Sequence, residues 1–304
     1  MNFAAWVKKI FQKRNNPDEN TKAKGIKKMA KVCVIIGADS AIGLEAARCL
    51  TKDKIIVLAG KKLDILESGR KGLQYTGYTA YAIPCTPSDL NSVKRLAEFA
   101  SQLGEVKSVI DCVGTELLIE GTPEEILRAH VLKSVYVNEE FSKIMKTGGA
   151  IVDVCSHYAY ERPAFLLPKR VYAVVDKDEE KLLAKLVKRS SFFKDEAKQR
   201  RVAYVLAQNF VIWYAKKCAF AYGMQGIRVV SVSLGAVCTG MEEEQTPNAF
   251  VPFSAEERMG TPEEIGYLLS TIADERNGYL TGVDILCDGG SINGKKTFKK
   301  NKKK

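Results

Sequence analysis

Gly37 and Gly43 bracket the run Ala38-Asp39-Ser40-Ala41-Ile42, a spacing that suits a main-chain turn built to approach a phosphate. A glycine lets the backbone come close to a pyrophosphate. A helix beginning just beyond it adds unpaired N–H groups and a favourable dipole. The preceding run Val32–Ile36 is strand-like and Leu44–Leu50 is helix-like. A glycine pair after a strand also serves as a plain tight turn, so the strand-turn-helix order carries the inference.

The elements that must hold this turn follow the same alternation. Apolar, β-branched runs at Val32–Ile36, Lys54–Ala59, Tyr78–Ile83, Ser108–Val113, Ala150–Cys155, Arg228–Val232 and Asp284–Cys287 are separated mostly by amphipathic helical stretches. The pattern predicts an α/β fold, a Rossmann-like doubly wound parallel sheet covered on both faces. It predicts a single domain over 32–293, preceded by a basic segment and linker (1–31) and followed by a lysine-rich, disordered tail (294–304). Residues 157–203 interrupt the rhythm as a helical insertion. Within it Asp178–Ser190 reads as an amphipathic helix, and Phe192 and Phe193 would be costly to leave in water. The expected result is a flap.

The net charge of +11 belongs to the ends. Residues 1–31 carry nine Lys/Arg against two Asp/Glu, and residues 295–304 carry seven lysines, leaving −3 for the rest. A nucleic-acid-binding face on the body is therefore not expected. The eight cysteines show no C-x-x-C pair, which predicts buried, reduced thiols in a cytoplasmic setting. With only His130 and His157 in the chain, no metal site is expected. Phe3, Trp6, Val7, Ile10 and Phe11 recur at helical spacing among lysines, so residues 1–14 fit either a peripheral helix on an anionic membrane or a helix that packs on the body or frays.

Several motifs, in order, resemble the short-chain dehydrogenase/reductase family. The family's T-G-x-x-x-G-I-G stands here as Ile36 to Gly43, and its N-N-A-G as Asp111-Cys112-Val113-Gly114. Its G-x-I-V-N-I-S-S strand stands as Gly149 to Ser156, and its G-I-R-V-N-x-V-x-P-G segment as Gly226 to Gly235, with a threonine at Thr239. Its ending stands as Tyr279-Leu280-Thr281-Gly282 through Asp288-Gly289-Gly290. The resemblance implies a cofactor site built from Gly37, Asp39, Ser40, Ile42, Gly43, Gly60, Lys61, Lys62, Thr86, Gly114, Gly235, Val237 and Thr239. After the second strand this chain has Gly60-Lys61-Lys62 and no acid, which favours NADP(H) over NAD(H), a lysine meeting the 2′-phosphate. Thr86 replaces the family's aspartate near the adenine.

By the same resemblance Ser156 takes the catalytic serine position and Tyr204 the tyrosine position. The lysine position is Gln208 and the asparagine position is His130. Gln208 can bond a ribose hydroxyl but carries no charge, leaving Tyr204 nearer its ordinary pKa of about 10. A protonated tyrosine can still donate, so reduction is expected to outlast oxidation. His130 can replace part of a proton relay, since imidazole titrates near neutrality, or serve as an ordinary helix residue. The insertion resembles that of the 3α-hydroxysteroid dehydrogenase/carbonyl reductase type, which implies a small carbonyl or secondary-alcohol substrate. Family homo-oligomers pack the helices that fall here near Thr122–Lys146 and Tyr204–Tyr222, and the insertion can obstruct that contact. Two functions follow: an NADP(H)-dependent carbonyl reductase with an altered tetrad, or a catalytically weakened relative that binds NADP(H) as a sensor or scaffold.

Overall fold

A computed structural model of the chain describes residues 29–112, 121–239 and 251–301. Its strands are β1 (Lys31–Ile36), β2 (Lys54–Gly60), β3 (Thr79–Pro84), β4 (Glu105–Asp111), β5 (Ala150–Ser156), β6 (Arg228–Leu234) and β7 (Asp284–Cys287). They form one parallel sheet in the order β3-β2-β1-β4-β5-β6-β7. Every residue of β2, β5 and β6 is buried, as expected for strands covered on both faces. The order reverses direction between β1 and β4, which opens a crevice at the carboxyl ends of those strands. Gly37 lies just past one rim and Cys112 past the other.

The helices of eight residues or more among the described residues are α1 (Ala41–Arg48), α2 (Leu63–Tyr75), α3 (Leu90–Leu103), α4 (Pro123–Ser142), α5 (Glu179–Ser190), α6 (Glu196–Gly223), α7 (Pro262–Ile272) and α8 (Ser291–Asn301). One apolar cluster joins the sheet to α3, α4, α5 and α6, and a second joins it to α1, α2 and α7. Thr122 and Thr261 start α4 and α7 with reciprocal capping boxes, each followed by a proline.

Helix α5 covers the paired faces of α4 and α6. Leu182, Leu183 and Leu186 are buried in the same cluster as Phe141 and Phe210. At its start the Arg128 guanidinium grips Glu180 through two bonds of 2.7 Å, and the Tyr136 hydroxyl donates to Glu179 at 2.8 Å. The insertion is shorter than the sequence pattern implied. Helix α6 begins at Glu196, eight residues before Tyr204, so the insertion is 157–195, with α5 packed as expected. Phe192 is not buried: it is 85% exposed. Phe193 is half-buried under the Lys198 ammonium, 4.4 Å from its ring centroid. The tail also differs, because residues 294–301 continue α8 instead of leaving the fold as a disordered run. Cys33, Cys85, Cys112, Cys155 and Cys218 are buried free thiols as expected, but Cys49 and Cys238 are exposed.

A buried polar cluster ties the sheet to α4. The Lys133 ammonium lies 3.0 Å from Asp111, and both side chains are fully enclosed. Asp111 is in register with Asp153 on β5, and the Asn138 amide donates to both Asp153 oxygens at 2.9 and 3.1 Å. Burial and the neighbouring Asp111 charge push the Asp153 carboxyl up to about 7, with Asn138 and Lys133 opposing.

Truncating the insertion's buried leucines should loosen the whole face. Leu186→Ala is expected to cost about 2–5 kcal/mol of unfolding free energy, read from the urea midpoint at constant slope. A loss below about 1 kcal/mol would mean that α5 is not part of the cooperative core.

Candidate active site

The glycine turn forms as the residue types demand. Gly37 has φ 80°, a left-handed conformation that suits glycine. A Cβ at Gly43 would overlap the Gly37 carbonyl oxygen, so α1 can sit against the turn only with glycine there. Ser40 caps α1: its Oγ accepts from the Gly43 N–H at 3.1 Å and its hydroxyl donates to the Gly37 carbonyl at 2.7 Å. The first N–H groups of α1, on Ala41 and Ile42, have no hydrogen-bond partner among the described residues. That is the donor set a pyrophosphate needs.

The positions that the resemblance assigns to the adenosine end lie at the ends of β2 and β3. Gly60, Lys61 and Thr86 line an open cleft of about 1000 Å³, joined by Asp89 and Arg95. The Thr86 N–H donates to Ser92 Oγ at 3.0 Å. Asp39 reaches across from the glycine turn, and its Oδ2 accepts from the backbone N–H groups of Lys61 and Lys62, both at 2.9 Å. The sequence gives no signal for that bridge, because it joins residues far apart in the chain. On the far side, the Gly235 N–H donates to the Cys287 carbonyl at 2.9 Å, and Val237 is buried and bridges to Gly260. Thr239 is half-buried two residues on. Gly114 lies outside the described residues, as do Trp6 and the whole amphipathic segment 1–14.

The four residues predicted to do chemistry converge at the end of β5. Ser156 is the last residue of β5, while Tyr204 and Gln208 lie one helical turn apart on α6. The Ser156 N–H donates to Gln208 Oε1 at 3.0 Å, which pins the amide between helix and strand. His130 comes from α4, its ring edge-on to Tyr204 with centroids 5.3 Å apart. The Tyr158 ring meets Tyr204 from another side at 5.6 Å, and the Arg201 guanidinium stacks over Tyr158 at 5.4 Å. Nothing in the spacing of the sequence singled out Tyr158.

The electrostatics differ from the expectation in two places. Tyr204 is 1% exposed. Burial raises its pKa above the ordinary tyrosine value, with the Ser156 side chain partly opposing. The phenol is therefore held protonated more firmly than loss of a lysine alone would do. His130 does not titrate near neutrality: burial, helped by Lys133, lowers its pKa to about 3. Its Nε2 has no hydrogen-bond partner among the described residues. His130 is thus a neutral ring against Tyr204 at physiological pH, not an acid.

Two family models adjoin along the chain. One, described as short chain dehydrogenase, matches residues 31–168; the other, described as Enoyl-(Acyl carrier protein) reductase, matches residues 164–291. The short-chain dehydrogenase/reductase bsc3 of Alternaria brassicicola is 24% identical over 85% of this chain and 94% of its own length. The uncharacterized oxidoreductase YxbG of Bacillus subtilis is 26% identical over 86% and 90%. Among solved structures, a short chain dehydrogenase from Burkholderia cenocepacia in complex with NADP superposes with a TM-score of 0.68 at 18% identity, covering 86% of this chain and 98% of that one. The chain belongs to the short-chain dehydrogenase/reductase family and is an oxidoreductase of that type.

The His130 environment has a measurable consequence. The unfolded chain binds a proton at this residue below its ordinary value of 6.5, and the native protein does not until about 3. Its contribution is therefore present above pH 6.5 and is lost as the pH falls toward 3. In urea titrations, wild type should lose about 1.4 kcal/mol per pH unit more than His130→Gln between pH 6 and pH 4. Parallel curves for the two proteins would place His130 in contact with solvent.

Proposed function

We propose that the protein is an NADP(H)-dependent reductase of a small carbonyl compound, working with Tyr204 as proton donor. The observation that carries this reading is the meeting of Ser156, Tyr204 and Gln208 at the carboxyl end of β5, beside a glycine turn with unpartnered N–H groups. The residues fit a dinucleotide. Ala41 and Ile42 offer donors for the pyrophosphate, the Lys61–Thr86 cleft accepts the adenosine end, and Gly235 and Val237 border the other end. Lys61 and Lys62 favour a 2′-phosphate, and the NADP bound by the Burkholderia relative agrees with that choice.

A bound nicotinamide supplies the hydride. Ser156 would hold the carbonyl oxygen by its hydroxyl, and Tyr204 would give that oxygen a proton as negative charge develops on it. Burial keeps Tyr204 protonated, the form that reduction uses. Alcohol oxidation needs the phenolate, and here the amide of Gln208 brings no cation to stabilise it. The arrangement therefore favours reduction. Gln208 instead acts as a positioning residue, because its Oε1 holds the Ser156 N–H and hence the end of β5.

A second reading, a catalytically weakened relative that binds NADP(H) as a sensor or scaffold, is favoured by the enclosure of Tyr204 beneath Tyr158 and His130. Peripheral membrane contact through residues 1–14, a homo-oligomer and a cytoplasmic setting complete the expectation. Among the described residues no helix is long and apolar enough to cross a membrane.

Two variants separate the readings. Tyr204→Phe should lower NADPH-dependent ketone turnover by about 10²-fold or more with NADPH binding intact, and equal turnover would sink the proposed role. Gln208→Lys removes the acceptor of the Ser156 N–H while adding a cation. For a working reductase, stopped-flow turnover should be unchanged or reduced. A large gain from near zero marks the weakened relative.

A further inference from the structure

We propose that Asp39 is a specificity-determining residue that opposes the 2′-phosphate, so that the chain accepts NADH alongside NADPH. The inference rests on the nucleotide reading above and refines its adenosine end. Helix α2 starts at Leu63, and the Lys62 side chain does not cap it. The cap comes from another part of the fold: Asp39 Oδ2 takes the N–H groups of both Lys61 and Lys62 at 2.9 Å. Gly60 makes room for this, since a Cβ at that position would overlap the Asp39 carboxylate.

A phosphate arriving at the end of β2 would seek those same two N–H groups, at the head of a helix. Asp39 already fills that seat with a negative charge. Both of its backbone bonds use Oδ2, and Oδ1 has no hydrogen-bond partner among the described residues. A ribose 2′-hydroxyl can donate to Oδ1, whereas a 2′-phosphate brings like charge against it. The side chains of Lys61 and Lys62 act in the opposite sense by attracting phosphate. Two lysines and one carboxylate therefore compete over the same ribose position, and the carboxylate levels a preference that the lysines would otherwise make strong.

The test is binding of NADPH and NADH to full-length protein, followed by tryptophan fluorescence, for wild type, Asp39→Asn and Asp39→Ser. Wild type should bind the two within about tenfold of each other. Asp39→Asn keeps an acceptor for the Lys61 and Lys62 N–H groups. It should raise NADPH affinity relative to NADH at least about tenfold, with Asp39→Ser moving the same way. An unchanged ratio in a variant that melts like wild type overturns the inference and leaves the nucleotide reading standing. A measurement without variants guards against misfolding. If 2′,5′-ADP displaces a bound nucleotide from wild type more than about a hundredfold better than 5′-ADP, Asp39 does not oppose the phosphate. Wild type that binds neither NADPH nor NADH overturns the nucleotide reading, and this inference with it.

Discussion

The ion pair of Lys133 with Asp111 constrains everything built above it. Both groups are fully enclosed, and Asp153 stands in register beside Asp111 on the next strand. Removing one member of such a pair would leave an uncompensated buried charge, typically a loss of about 3–5 kcal/mol. Two carboxylates and one ammonium are neutral together only when one proton is retained. Burial first, and then the Asp111 charge, raise Asp153 to about 7, so that it is the member that keeps a proton most readily. The cluster fixes the rotation of α4 on the sheet. One turn earlier on that helix, His130 is thereby aimed at Tyr204, and the Lys133 charge helps keep it neutral. Where the family motifs that the sequence resembles have asparagines, this chain has Asp111 and Asp153, which pair with Lys133 and Asn138.

The residues at the positions that the resemblance marks for chemistry act on one equilibrium. In a site with a lysine beside the tyrosine, the cation stabilises a phenolate and the reaction can run either way. Here Gln208 supplies an amide whose oxygen is committed to the Ser156 N–H, and Tyr204 is enclosed by rings. Both changes act on the same equilibrium in the same direction, toward the neutral phenol. A neutral His130 adds no competing proton source. The phenol can give up a proton only to an oxygen that is itself becoming basic, which is the situation created by hydride addition to a carbonyl.

All seven strands were legible in the sequence as short apolar runs, five of them almost wholly buried and β3 and β7 less so, and the glycine turn because close approach admits no side chain. Ser156, Tyr204 and Gln208 were placed by motif spacing, and in the fold the Ser156 N–H meets Gln208 Oε1 one helical turn from Tyr204. The start of α6 was missed, since Glu196 to Val202 is polar and only partly buried and shows no apolar face. Phe192 was expected inside on hydrophobicity alone, but the chain turns between α5 and α6 leave it in solvent. The bridge from Asp39 to Lys61 and Lys62 and the protonation state of His130 depend on which elements lie side by side and how deeply they are buried. Neither is encoded in a local pattern.

The insertion links these local effects to the molecule as a whole. Helix α5 lays three leucines across the faces of α4 and α6, the helices that carry His130 and Tyr204, and adds the Arg128–Glu180 and Tyr136–Glu179 contacts at its edge. Those faces are where the family resemblance placed the partner in an oligomer. With α5 seated there, Leu182, Leu183 and Leu186 are buried within the chain's own core. The same strap presses α4 and α6 together over the buried charge cluster. The insertion therefore supports the site from behind: the segment between β5 and α5 approaches the substrate side through Tyr158, while α5 holds the two helices whose spacing sets the distance between His130 and Tyr204.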